Sequence, residues 1–190
     1  MLTRTVLAAS AAALLVSATG VFASTAPASD ARPTNPAAAP AATLKPCAEK
    51  ALTLRAAPSA QDHVLRLSVK NHSSQACLVD RVPLVTYGDL DGAAVPFPLS
   101  GSAAYKLDPG KTAHAVVRSL SPSGGSEARS VGYVMVSANP EHHGKKFTAA
   151  TLAEPGGLRV WEPVTTLWQP TRALADEVLA ESDGAGILQV

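Results

Sequence analysis

Cys47 and Cys77 are the only thiols in the chain. Such a pair serves either as a redox-active dithiol or as a covalent bridge. A dithiol catalyst uses Cys-x-x-Cys spacing, which is missing here, and oxidised sulfurs offer no nucleophile. The five histidines, at 63, 72, 114, 142 and 143, raise metal binding instead. A blue-copper centre needs two His, a thiolate and a weak axial Met. Met135 is the only internal methionine, and neither cysteine has a histidine two to five residues beyond it. That leaves His142-His143, after Glu141, as the candidate pair for Cu(II) or Zn(II). The competing reading is a solvated loop between Val136 and Phe147. His114 reads as a surface residue on the outward face of a strand.

Other constellations are thinner. Asp89, Asp91 and Gly92 invite calcium, but an EF-hand loop needs more ligands and a terminal Glu, and hairpin-turn chemistry explains the same residues. No Gly-x-Ser-x-Gly elbow exists, and Ser100-Gly101-Ser102 reads as a plain loop, so a Ser-His-Asp hydrolase has no nucleophile. Asn71-His72-Ser73 fits the glycosylation triplet and also reads as a turn. Trp161 and Trp168 are candidates for a carbohydrate platform, against a reading in which Trp161 is core beside Val160 and Val164. No motif implies a cofactor, and no enzyme is expected.

The amino terminus decides between the two readings of the thiols. Arg4 supplies a positive charge, Val6 to Val16 is an uncharged apolar run, and Val21-Phe22-Ala23 ends it with small residues where a signal peptidase reads. Residues 1–23 therefore read as a secretory signal peptide. The run is too short and Ala-rich for a membrane span, which takes about 20 strongly apolar residues. No cysteine follows it to carry a lipid anchor. In an exported chain, Cys47 and Cys77 read as one structural disulfide. Its chain-entropy contribution is about 3–4 kcal/mol, a large share of a typical net stability.

Cleavage removes Arg4 and no acid, which leaves 15 Lys+Arg against 15 Asp+Glu. A balanced chain argues against nucleic acid as partner and gives no reason to expect an anionic membrane. Residues 24–45 are Ala/Pro-rich, with Pro27, Pro33, Pro36 and Pro40, and too poor in large apolar groups to pack. This disordered linker is either a tether that lifts a domain off the envelope or a leader with no further role.

From Cys47 the pattern becomes period two, the mark of half-buried strands. Leu52 and Leu54 alternate with Thr53 and Arg55; Leu65, Leu67 and Val69 alternate with Arg66, Ser68 and Lys70. A turn at Asn71 to Ser74 follows. Cys77 leads into Val82, Leu84 and Val85, with Pro83 marking an edge or bulge. Tyr87 to Gly92 reads as a hairpin turn and Ala94 to Phe97 as the returning strand. Ala113, Ala115 and Val117 continue the alternation, Val131 to Met135 open a sixth strand, and Leu158 to Trp168 supply the last. Seven or eight short strands over residues 46–170 predict an all-β antiparallel immunoglobulin-like β-sandwich. The bridge is expected to pin the strand near Leu52 to the end of the strand near Leu67. Residues 171–190 read as a two-turn helix with the stripe Leu174, Val178, Leu179, then a flexible tail.

The order Cys47, Asn71, Cys77-Leu78, Val82-Pro83, Asp91-Gly92, Leu107-Asp108-Pro109-Gly110-Lys111-Thr112-Ala113 and Leu158-Arg159-Val160 resembles a family of exported actinobacterial domains of unknown function. The resemblance covers roughly residues 46 to 165. Its recurring features are an Asn turn before the second cysteine, Cys-x-Leu-x-Gly-x-Pro, and Leu-x-Pro-Gly-x-x-Ala entering a strand. Arg81 stands where the family often has Gly, and a second cysteine pair carried by many members is missing. The resemblance implies an exported sandwich and no activity. The function expected is a secreted or cell-envelope, non-catalytic module that binds another macromolecule. It carries no cofactor and no transmembrane segment in the mature chain. The alternative is an extracellular metal-binding or carbohydrate-binding protein using His142 and His143 or Trp161 and Trp168. Intact mass of chain recovered outside the cell is expected to match a start at Ser24; retention of Arg4 in that material contradicts the cleavage.

Overall fold

Alternating aliphatic residues and frequent turns build short strands here. The computed structural model describes residues 43–99 and 103–184; the expected signal peptide, the linker up to 42, Ser100-Gly101-Ser102 and the tail from 185 lie outside the described residues. In chain order the elements are β1 (Leu52–Pro58), β2 (Val64–Asn71), β3 (Cys77–Val79), β4 (Leu84–Tyr87), β5 (Val95–Phe97), β6 (Tyr105–Leu107), β7 (Thr112–Arg118), β8 (Arg129–Val131), β9 (Tyr133–Ser137), β10 (Lys145–Thr148), β11 (Leu158–Val160), β12 (Val164–Thr166) and α1 (Arg172–Gly184). A five-stranded sheet runs β1-β2-β7-β12-β5 and a three-stranded sheet β10-β9-β4, with two-stranded pairs β3/β6 and β8/β11. One core cluster joins Leu54, Leu65, Leu67, Val69, Ala115 and Val117 of the larger sheet to Val85, Val134, Val136 and Phe147 of the smaller. The protein is thus mostly β, as its alternation predicts.

Three expectations need correction. Twelve strands replace seven or eight among the described residues. Gly132 divides one predicted strand, so β8 pairs with β11 while β9 pairs with β4 and β10. The pieces Tyr105–Leu107 and Lys145–Thr148 are too short for their alternation to register. The chain is not wholly antiparallel either. After one hydrogen bond from Ala94 N to Val85 O, the expected returning strand leaves β4 and pairs parallel with β12. Pro96 has no N–H to complete a hairpin ladder, and β5 accordingly lies at a sheet edge. The carboxy-terminal helix has 13 residues rather than two turns. Its buried positions are Ala175, Leu179 and Ser182, whereas Leu174 is exposed. Ala175 and Leu179 cover Val64 and Val116 on the outer face of the large sheet.

The disulfide between Cys47 and Cys77 is formed, with Cα atoms 4.9 Å apart. Cys77 does not end the strand near Leu67, as expected, but opens β3, because the turn after Asn71 sends the chain to a different pair of strands. Asn71 itself is fully buried. Its Nδ2 donates to the carbonyls of Gln75 (2.8 Å) and Leu107 (3.0 Å), and its Oδ1 accepts from the Ser73 amide and hydroxyl. Its backbone also exchanges hydrogen bonds with the 108–111 turn, Asn71 N to Lys111 O and Gly110 N to Asn71 O. One side chain therefore fixes the end of β2, the following turn and β6.

The open edge of the small sheet carries Lys145 and Lys146 on β10. Lys145 Nζ donates to Leu54 O on β1, and Lys146 lies over the Tyr133 ring at 3.7 Å. The opposite edge strand, β4, exposes Leu84. Replacing Asn71 by Ala is expected to cost about 2–3 kcal/mol, because the buried Leu107 carbonyl loses its donor. Cys47→Ser/Cys77→Ser is expected to cost about 3 kcal/mol. Urea unfolding measures both; unchanged midpoints contradict the respective arguments.

Candidate functional site

His142 and His143 come first, because the structure gives each ring a protein partner. His142 Nε2 sits 3.1 Å from the Cys47 carbonyl. A carbonyl only accepts, so this nitrogen carries the proton and donates. His143 Nδ1 lies 3.3 Å from Glu49 Oε2, and its side chain is 97% exposed. The same carboxylate accepts from the amides of Gly144 (2.8 Å) and His143 (3.3 Å). Gly144 is required there, since φ is +74° and a Cβ would stand 2.8 Å from the Val136 carbonyl. The Glu49 carboxyl is held below its ordinary value of 4.5, chiefly by the Gly144 N–H; desolvation opposes this less strongly, and the His143 ring and amide add smaller downward effects. The histidine loop is thus latched to the segment beside the disulfide. Among the described residues, no group of three or more His, Cys, Asp or Glu is placed to hold a metal ion. Asp89 accepts a hydrogen bond from the Tyr133 hydroxyl at 3.1 Å.

The two tryptophans part company. Trp168 is completely buried in the core, and its indole N–H has no partner. Trp161, the one expected in the core, is only half-buried. The reason is backbone pairing: Trp161 N donates to Ser119 O and its carbonyl accepts from Ser121 N, which sets the side chain over the 122–126 loop. Gly124 makes room for it; a Cβ there would come within 2.7 Å of Trp161 Cβ and 2.6 Å of Cγ. The indole is therefore seated against bare backbone.

Trp161 lines a cleft of about 390 Å³ together with Tyr87, Leu90, Asp91, Arg129 and Glu162. That volume falls in the range of small-molecule sites. Asp91 comes from the turn after β4, Arg129 from β8, and Glu162 from the link between β11 and β12. Glu162 holds φ at +45°, uncommon for any residue with a Cβ, and it does so immediately before Pro163. The Tyr87 hydroxyl is buried with no hydrogen-bond partner, and burial pushes its pKa far above the ordinary phenol value. Sequence reasoning singled out Trp161 and, for calcium, Asp91. Tyr87, Arg129 and Glu162 carried no signal, because they lie on two separate strands and a loop and no spacing rule joins them.

Fold and site together define a disulfide-bridged all-β domain with a cleft that combines one aromatic plane, two carboxylates and a guanidinium. No helix among the described residues is long and apolar enough to cross a membrane. The chain belongs to the family described as Domain of unknown function (DUF4232), whose model matches residues 47–169. The match ends just before α1. No curated protein and no solved structure matches the chain. Arg81, at a position where a Gly was expected from the family pattern, lies over the Tyr105 ring at 5.2 Å, and its carbonyl accepts from Trp168 N.

Two outcomes test this geometry. Gly124→Ala is expected to displace the Trp161 indole and shift its fluorescence to longer wavelength while Trp168 emission stays constant; unchanged spectra contradict the seating. The Glu49 latch, with its depressed carboxyl, is in place above the ordinary carboxylate value and is lost as pH falls through the folded value. Protection of the Gly144 amide from hydrogen exchange is therefore expected to persist at pH 4.5, to fail only in stronger acid, and to vanish at every pH in Glu49→Ala.

Proposed function

We propose that this chain is an exported, non-catalytic binding module of immunoglobulin-like architecture, and that it takes a sugar-like ligand in the Trp161 cleft. Export is supported by the leader pattern of residues 1–23 and by the Cys47–Cys77 disulfide, a bond that persists in oxidising compartments. An immunoglobulin-like arrangement is supported by strands of both larger sheets meeting in one core.

The observation that carries the ligand class is the set around Trp161. A sugar ring has an apolar C–H face and a rim of hydroxyls. The half-buried indole offers a plane for the first. Asp91 and Glu162 accept hydrogen bonds from the second, and Arg129 donates to ring and hydroxyl oxygens. The module binds rather than cleaves: Asp91 is exposed and Glu162 half-exposed, whereas a carboxylic acid catalyst is kept protonated by an apolar pocket. Such a module serves as a recognition unit in the extracellular space or at the cell envelope.

A panel of neutral and amino-sugar oligosaccharides tests the reading. At least one is expected to quench tryptophan fluorescence on binding. Trp161→Ala should weaken that ligand by about tenfold or more, from the loss of a stacking plane and its buried area, while Trp168→Phe should leave its affinity unchanged. Silence across the panel, or binding indifferent to Trp161→Ala, removes the sugar assignment.

A further inference from the structure

The outer face of the five-stranded sheet is only partly covered. α1 sits over Val64 and Val116, and beyond it the register of β1, β2 and β7 places three cross-strand rows of outward residues. These are Thr53–Lys70–Thr112, Arg55–Ser68–His114 and Ala57–Arg66–Val116. No row contains a carboxylate. A groove of about 650 Å³ opens on this face, lined among others by Arg55, Arg66, Ser68, His114, Lys145 and Arg172. It shares no residue with the Trp161 cleft.

Four permanent cations meet in that groove, and only one is neutralised. Arg66 makes a two-pronged bond to Asp176, Nε to Oδ1 at 3.2 Å and Nη2 to Oδ2 at 3.0 Å. Among the described residues, Arg55, Lys145 and Arg172 have no carboxylate within ion-pair distance. Lys145 spends one donor on the Leu54 carbonyl and keeps its full charge. The whole sequence has a formal net charge of only +1, so this concentration of cations is local.

We propose that this groove is a binding site for a phosphate-type oxyanion carrying two or more negative charges. Guanidinium groups present paired donors that match the oxygens of a tetrahedral anion. One carboxylate satisfies one arginine, whereas three unpaired cations call for a multiply charged group. Ser68 and Thr53 add hydroxyl donors, and His114 stands between them and Arg172. Arg172 and burial together hold the His114 imidazole below its ordinary value, burial contributing more. A bound anion offsets the repulsion by Arg172 and draws a proton onto the ring, so His114 reports occupancy.

Titration of the purified chain with pyrophosphate, followed by NMR, tests the site. The expected result is a set of amide shifts at Arg55, Ser68 and His114 together with a raised His114 titration midpoint. Arg55→Ala/Arg172→Ala should weaken binding at least about tenfold, since charge-assisted hydrogen bonds are lost, with no change in the urea midpoint because both side chains are exposed. Lys106→Ala removes one positive charge outside the groove and should leave affinity unaltered; an equal loss there would show that overall charge, not a site, is responsible, and would overturn the proposal. Vesicles containing phosphatidic acid, whose phosphomonoester can carry two negative charges, form the second arm. Vesicle binding that depends on Arg55 and Arg172 places the phosphate in a lipid headgroup and upholds the site. Binding of either probe that survives the double substitution, or no response to both at millimolar phosphate, overturns it.

Discussion

The carboxamide of Asn71 is the constraint on which the rest of this fold turns. It is the one side chain that simultaneously closes β2, shapes the turn to Cys77 and satisfies the carbonyl at the end of β6. A buried amide is tolerable only when its donors and acceptor all find partners, and here they do. The disulfide acts at the same corner by a different means. It restricts the unfolded chain, whereas Asn71 selects among folded ones. Between them they hold the segment before β1, the β3/β6 pair and the 108–111 turn in one place, so the two larger sheets meet over a core made almost wholly of Val, Leu and Ala.

A formal charge near zero says little about where charges sit. Along β1 and β2, period-two alternation sends Leu54, Leu65, Leu67 and Val69 inward and leaves Arg55, Arg66 and Lys70 on the other face. The carboxylates are placed by turns, loops and α1 instead, which is how Asp91 and Glu162 come to flank Trp161. The sheet therefore sorts cations from anions without any change in composition. The argument against charged partners from net charge applies to the chain as a whole and does not hold for its faces.

Much of the fold was legible where apolar and polar residues alternated plainly: β1, β2 and β7 lie where Leu54, Leu67 and Ala115 predict them. The covalent bridge and the family were legible too, from the two cysteines and the ordered turn motifs. What failed has physical causes. Strands of three or four residues such as β6 and β10 are defined by their partners rather than by their own pattern. Pro96 diverted an expected hairpin into a parallel pair. The two tryptophans differ in burial because the 119–121 bridge and the bare backbone at Gly124 fix one of them at the surface, information that resides forty residues away in sequence. The cleft was half legible, through Trp161 and Asp91, and the basic groove not at all, since its residues converge only once register is known.

The lysines on β10 reach beyond the chemistry of a single molecule. A second copy approaching that flank would have to strip water from two ammonium groups to add a strand, a standard defence of exposed sheet edges. The β4 flank carries no lysine, but there the Ala94 and Leu90 N–H groups already occupy the Val85 and Tyr87 carbonyls. Addition of a like strand is therefore opposed at both ends of this sheet, by hydrated charge at one and by carbonyls already taken within the chain at the other.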